Sequence, residues 1–376
     1  MTSPAVRPLP VWDAAVRQFH WLLVLAIALA AGTGFILNAS WLGLHIAGGV
    51  AAMALVVFRL IWGFTGSTHS RFASFLPRLP DVIAHVKTLS HRPHVAHAGH
   101  NPLGALMVFA LLATVLLLGF TGLGVLGGMF KQGPLKALLS FDAGRSLREL
   151  HELAAWGLLL MVVGHVLGVI YESRRAADNL VRAMVTGEKV LTPAAIAAPH
   201  NQRTPTPARP LSALALSLAV AALAIPPALM GLKAAAPGVP TAPLDHAYAT
   251  TCGDCHMAYH PSLLPAARWR DIMAHLDDHF GEDATLPAGY GDKISAYLSA
   301  NSAEHWDTLP AHVFAANTSA EPLRLTTTRF WQRMHGDIPA AVFARKSITA
   351  KSNCQACHRD AASGLFAPQM IDVPKE

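Results

Sequence analysis

Two short segments place a pair of thiols and a histidine in the order that attaches a haem covalently: Cys252, Cys255 and His256, then Cys354, Cys357 and His358. In such a CxxCH unit the sulfurs bond the porphyrin vinyl groups and the adjacent imidazole is aimed at the iron. One match alone is compatible with a redox or zinc motif. Two matches that use all four cysteines of the chain point to two c haems and leave no thiol for a structural disulfide.

Four more histidines stand in apolar surroundings: His20, His45, His151 and His165. In RSLRELHELAAWGLLLMVVGHVLGVIYESRR (145–175), helical geometry separates His151 from His165 by about 21 Å and keeps them within about 40° of one face. An ionisable group at membrane depth is costly unless it is occupied, so this helix is expected to ligate two metal centres stacked across a bilayer. Two non-covalent b haems are the natural candidates. The plainer use of such histidines is hydrogen bonding to neighbouring helices. His20 and His45 favour the haem reading, because each begins an apolar span and a turn at 38–40 makes those spans antiparallel. The two therefore sit at opposite depths, which sorts the four into an outer pair, His45 with His151, and an inner pair, His20 with His165.

The elements that must carry these residues are legible in composition. The 376 residues are 52% hydrophobic and 14% charged, too apolar for an ordinary soluble protein. Transmembrane helices are expected at about 16–37, 41–63, 102–126 and 147–171, forming an all-α four-helix haem bundle over residues 1–190. The third has no histidine and is expected only to pack. Gly48 and Gly49 lie one turn after His45, where a flat macrocycle can approach the backbone. A fifth apolar helix at 211–232, interrupted by Pro226 and Pro227, lies within a connecting segment, 191–243, and delivers a mostly helical c-type domain at 244–376. It resembles a secretory signal too, but an internal span is expected to be kept as a tether. No cleavable signal is expected at the amino terminus; the first span acts as an uncleaved anchor.

Up to residue 233 there are 18 Lys and Arg against 8 Asp and Glu; beyond it, 11 against 15. The basic balance thus belongs to membrane-flanking loops, and no basic stripe with interleaved aromatics suggests nucleic acid. Most of those cations lie at the amino terminus and in the loops after spans two and four, whereas the loop after span three has Lys131, Lys136, Arg145 and Arg148. The amino terminus is then cytoplasmic and the c-type domain periplasmic, across a bacterial inner membrane. Covalent haem attachment outside the cytoplasmic membrane demands the same side. The 64–101 loop, with His69, His85, His91, His94, His97 and His100, has no recognised metal spacing and is read as a solvated basic loop.

For the sixth ligands of the c haems, His246, His260, His275, His279, His305, His312 and His335 are free, as are Met257, Met273 and Met334. A helix at 269–280 is expected to fold back on the first haem with His275 and His279 one turn apart, only one of them ligating it. His335 is offered by a helix end before the second CxxCH unit. Arg59 with Trp62, Arg17, and Arg148 with Glu152 are candidates for contacting a quinone or the haem propionates, although Arg59 and Arg17 also suit snorkelling to the interface.

Through His20 before Trp21, His45, FRLIWGFTG, His151 and His165, residues 1 to about 190 resemble the bacterial cytochrome b561 and Ni,Fe-hydrogenase cytochrome b group. From about 244 the chain resembles the dihaem cytochrome c family, through CGDCHMAYHPSLLPAARWRDIM, DHFGEDATL, ISAYLSANSA, RMHGDIP and NCQACHRDAASGLF. The second resemblance implies His279 and His335 as the distal ligands. Those families are usually separate chains, so the fusion is a departure. The expected function is an electron conduit from the membrane quinol pool through two b haems and two c haems to a soluble periplasmic cytochrome or other haem protein. Alternatives are the membrane anchor of a hydrogenase or dehydrogenase, and an enzyme oxidising superoxide or reducing metal. Bis-histidine iron has no open position, which argues against the last. The oligomeric state is left open, a homodimer included.

Overall fold

The computed structural model describes residues 7–37, 41–88, 96–176, 179–316 and 323–375. Among them five helices are long and apolar enough to cross a membrane. They are α1 (Ala14–Phe35), α2 (Leu42–Thr65), α4 (Pro102–Gly128), α5 (Phe141–Ala176) and α8 (Pro210–Lys233). Short helices α3 (Leu79–Thr88), α6 (Leu180–Thr186) and α7 (Pro193–Ala197) lie between them. The C-terminal region carries α9 (His246–Thr251), α10 (Ala266–Ala274), α11 (Gly291–Ala300), α12 (Leu309–Ala315), α13 (Arg329–His335) and α14 (Ala340–Phe343). The all-α expectation holds; the one small sheet pairs β1 (Arg7–Pro10) antiparallel with β2 (Glu188–Leu191).

The chain divides into two units. The first comprises residues 1–122 and 147–227, the second 123–146 and 228–376. In the first, Phe19 and Ala26 of α1, Ala52 and Val56 of α2, Ala105, Leu112 and Val115 of α4, and Leu158 of α5 form one buried cluster. Large apolar side chains such as Leu25, Leu160 and Leu223 remain exposed, the inside-out surface of a lipid-facing bundle. Gly48 serves helix packing: a Cβ there would stand 3.1 Å from the Ala26 carbonyl oxygen, so its missing side chain lets α1 and α2 touch. Gly49 has no atom within 4 Å of that position.

Several segments expected as loops are built into this unit. Asp13 caps α1, accepting the Val16 N–H at 2.9 Å, and also accepts from Trp62 Nε1, Ser67 Oγ and Ser70 Oγ. Burial pushes its carboxyl up, but Ser67, Ser70, the Val16 N–H and Trp62 outweigh that and hold it below its ordinary range. Asn179 caps α6, and Gly187 ends it at φ +90°. Thr192 caps α7 with Pro193 in its first turn. The 64–101 segment departs from the solvated loop expected of it. His85 is buried, and His100 lies between Trp12 and Phe75 with centroids 4.7 and 4.4 Å away. Lys189 donates to the carbonyls of His97 and Gly99, and Asn201 bonds both Ala96 and Ala98. These contacts with β2 and the 195–201 stretch are what the local sequence does not announce. His91 and His94 lie outside the described residues. Arg71 and Thr68 in turn hold the 206–207 backbone, and Ala213 of α8 is buried against the α1–α2 ends. The amino terminus and the segments after α2 and α5 thus meet on one side of the bundle.

In the second unit, the loop between α4 and α5 contacts the C-terminal region. Lys131, buried with φ +53°, donates to Asp307 at 2.5 Å. Asp307 also accepts from the Phe141 N–H and pairs with His312, whose ring stacks on Phe141 at 4.1 Å. A core of Tyr248, Leu264, Trp269, Ile294 and Leu298 supports the segment around the first CxxCH. The helix expected at 269–280 ends at Ala274, a correction. The physical reason is local: His275 leaves the helical region at φ −129° and ψ 44°, its N–H bonding Ile272, Leu276–Asp278 make a 3-10 turn, and Phe280 and Gly281 then turn the chain at φ +58° and +96°. Helix α8 passes through Pro226 and Pro227 without a break, and the unit boundary falls there, where two amide donors are missing.

Candidate functional site

Helices α1, α2 and α5 present four histidines in two facing pairs. His45 and His151 face each other with ring centroids 6.1 Å apart, and His20 and His165 with centroids 6.4 Å apart. In the second unit, His256 and His279 are 6.2 Å apart, and His335 and His358 are 6.0 Å apart. A ligand nitrogen about 2 Å from a metal, and about 1.2 Å from its own ring centre, places two trans imidazoles about 6.4 Å apart. All four pairs therefore fit an iron held from both sides. The structure thus brings together His45 with His151, His20 with His165, His279 with His256, and His335 with His358.

Hydrogen bonds at Nδ1 leave Nε2 for a metal in several of these rings. His45 Nδ1 is 2.9 Å from the Ala30 carbonyl oxygen. His151 Nδ1 is 3.0 Å from Thr121 Oγ1, whose hydroxyl donates to the Leu117 carbonyl and so accepts from the imidazole. His256 Nδ1 donates to the Met257 carbonyl at 2.7 Å, and His335 Nδ1 to the Trp331 carbonyl at 3.0 Å. Trp331 also stacks on His335 at 4.5 Å. Burial, and then the imidazole opposite, holds His279 and His358 below the ordinary histidine range, with Asp360 opposing this at His358. Neutral imidazole is the form that ligates.

Two features were missed in the sequence. Helix α4 takes part through Thr121, and a Cβ at Gly122 would lie 3.3 Å from His151. Gly34 stands 14 residues after His20, the His151–His165 spacing again, and a Cβ there would lie 3.1 Å from the His45 ring. That repeat was the available signal. Of the other candidates, His275 is exposed beside Asp271, His312 is taken by Asp307, and Met334 is exposed. His260 is buried against Ser262, and burial lowers its pKa to about 4. Cys255 is exposed, while Cys252, Cys354 and Cys357 are half-buried. Arg17 donates to the Val185 carbonyl at the end of α6, Arg148 forms an exposed ion pair with Glu152 at 2.8 Å, and Arg59 is buried under Phe72.

Residues 11–187 match the family model for prokaryotic cytochrome b561, and residues 248–366 that for dihaem cytochrome c. The C-terminal region belongs to the dihaem cytochrome c family, and the N-terminal region is similar to prokaryotic cytochrome b561. Its b561 part is 24% identical over 209 residues to the probable Ni/Fe-hydrogenase 1 B-type cytochrome subunit of Escherichia coli, covering 47% of this chain and 88% of that one. The corresponding subunit of Cupriavidus necator is 26% identical over 218 residues, covering 50% and 88%. The dihaem part is 36% identical to the diheme cytochrome c from Rhodobacter sphaeroides, covering 33% of this chain and 97% of that one, TM-score 0.29. It is 31% identical to the diheme cytochrome from Shewanella baltica, covering 36% and 96%, TM-score 0.28. The protein is thus an integral membrane, haem-binding electron-transfer cytochrome in which a b561 region precedes a dihaem c region.

Proposed function

We propose that this b561–dihaem cytochrome c fusion carries electrons from the membrane quinol pool through two b haems to two c haems and on to a soluble periplasmic acceptor. The observation that carries the reading is the set of four facing imidazole pairs, two in each unit, at 6.0–6.4 Å. Bis-histidine haem supplies one-electron transfer at an iron with no open position. The chain's own residues do the rest: His45, His151, His20 and His165 hold the b haems, and His256, His279, His335 and His358 ligate the covalent ones. Cys252, Cys255, Cys354 and Cys357 anchor the latter. The domains run 1–190, 191–243 and 244–376.

The orientation, with the amino terminus cytoplasmic in a bacterial inner membrane, is supported by two sets of contacts. β1–β2 pairing and the Arg71 and Thr68 bonds gather the basic segments together, while Lys131 and Asp307 join the α4–α5 loop to the c region. Stopped-flow mixing of purified protein with ubiquinol or menaquinol tests the function, since b and c haems absorb at different wavelengths. The b bands are expected to reduce first; c-haem reduction that precedes them counts against the reading.

A second reading has an observation of its own: the named b-type relatives are hydrogenase subunits. In that case a hydrogenase supplies the electrons. Copurification of a large redox subunit with the tagged protein, together with hydrogen-driven haem reduction, favours it over the quinol reading.

A further inference from the structure

On α2 the residue 14 positions beyond His45 is Arg59, the same spacing that separates the two ligands on α5. Helical geometry sets Arg59 about 21 Å from His45 along the axis and within about 40° of the same face, at the level of the inner pair. Arg59 is 3% exposed, its guanidinium carbon lies 4.7 Å from the Phe72 ring centre, and its Nη1 is buried with no hydrogen-bond partner. Asp13 is near enough for its charge to act on Arg59, but its oxygens accept from the Val16 N–H, Trp62, Ser67 and Ser70, and Nη1 is left without an acceptor. The guanidinium carbon is also 5.9 Å from the Phe75 ring centre, and on that same ring packs the half-buried His100, whose Nδ1 is buried with no hydrogen-bond partner.

A buried guanidinium N–H without an acceptor is costly, and aromatic faces do not supply one. A carboxylate can accept from both Nη1 and the imidazole, and binds a charged donor more strongly than a neutral quinone carbonyl does. Resting on the assignment of His20 and His165 to the inner b haem, we infer that Arg59 and His100 form an internal carboxylate site that binds a propionate of that haem. Arg17 differs in being only half-buried, with its Nη1 donating to the Val185 carbonyl.

The test is haem b content and redox titration of the purified full chain, which need neither quinol nor turnover. Arg59→Gln is expected to lower haem b from two per chain toward one, leaving the outer b haem and both c haems unchanged. Inner haem that remains shifts to a lower midpoint potential, since an uncompensated carboxylate favours ferric iron. Arg59→Lys restores the content, and His100→Phe, which keeps a ring between Trp12 and Phe75, retains the haem with a smaller shift of the same sign. Arg59→Gln protein with two b haems and an unchanged inner potential overturns the inference, the more so if only its quinol reduction is impaired. Loss of both b haems that Arg59→Lys does not restore overturns it too, in favour of a folding role. A His20→Ala protein that keeps both b haems removes the axial pairing itself, and the inference with it.

Discussion

At the scale of the residue, the chemistry rests on pairs of imidazoles, and pairing makes a sharp expectation. His45→Ala and His151→Ala should each leave one b haem with the same spectrum, and His20→Ala and His165→Ala should each leave the other. Haem extraction and low-temperature absorption spectra check this; identical spectra from His45→Ala and His165→Ala would show the pairing to be wrong. The hydroxyl of Thr121 sets the tautomer of His151 by accepting from Nδ1 while donating to Leu117. Thr121→Val keeps the shape and removes that acceptor, so affinity for the outer haem should fall by about 10–100-fold. Its midpoint potential should rise, because a less basic imidazole stabilises ferric iron less. Competition with apomyoglobin and a redox titration measure the two effects.

At the scale of the element, the loop between α4 and α5 is held by a charge that is easily removed. Asp307 joins Lys131, the Phe141 N–H and His312. Burial raises its pKa, but Lys131, His312 and the Phe141 N–H more than reverse this, leaving it below the ordinary carboxylate range. A carboxyl whose folded pKa is depressed adds stability above its unfolded pKa and loses it as pH falls through the folded one. The loop should therefore stay docked at neutral pH and loosen only in acid. Asp307→Asn should release it at pH 7, at a cost of about 1.5–3 kcal/mol for charge-assisted hydrogen bonds. Faster hydrogen exchange at the Phe141 amide reads this out, with the α1–α2 amides as an internal reference.

At the scale of the whole molecule, the fusion makes donor and acceptor regions parts of one chain. A flexible covalent link raises their mutual effective concentration to around millimolar, a gain separate chains do not have. It also ties function to topology. Cysteine labels placed in turn at residue 135, in the α4–α5 loop, and at residue 205, in the stretch held by Thr68 and Arg71, should react from opposite faces of intact spheroplasts. Labelling of both positions from one face would remove the proposed orientation.

The sequence by itself was enough for the apolar helices, the two CxxCH units and which membrane-helix histidines face each other, because a 3.6-residue repeat and a 1.5 Å rise convert spacing directly into face and level along a helix. It was enough for α13 ending in His335 as well. It was not enough for residues 96–99, whose polar surroundings read as solvated while Lys189 and Asn201, some 90 to 105 residues away, hold their backbone. Nor did it reveal that His275 and His279 part company, since non-helical backbone at His275 ends the helix that periodicity continues and left-handed backbone at Phe280 then turns the chain. Thr121, Gly34 and the unpartnered Nη1 of Arg59 became visible only once helices were packed. Hydrogen-bond partners, close approaches and missing acceptors are properties of neighbours, and neighbours distant in the chain are decided by tertiary structure.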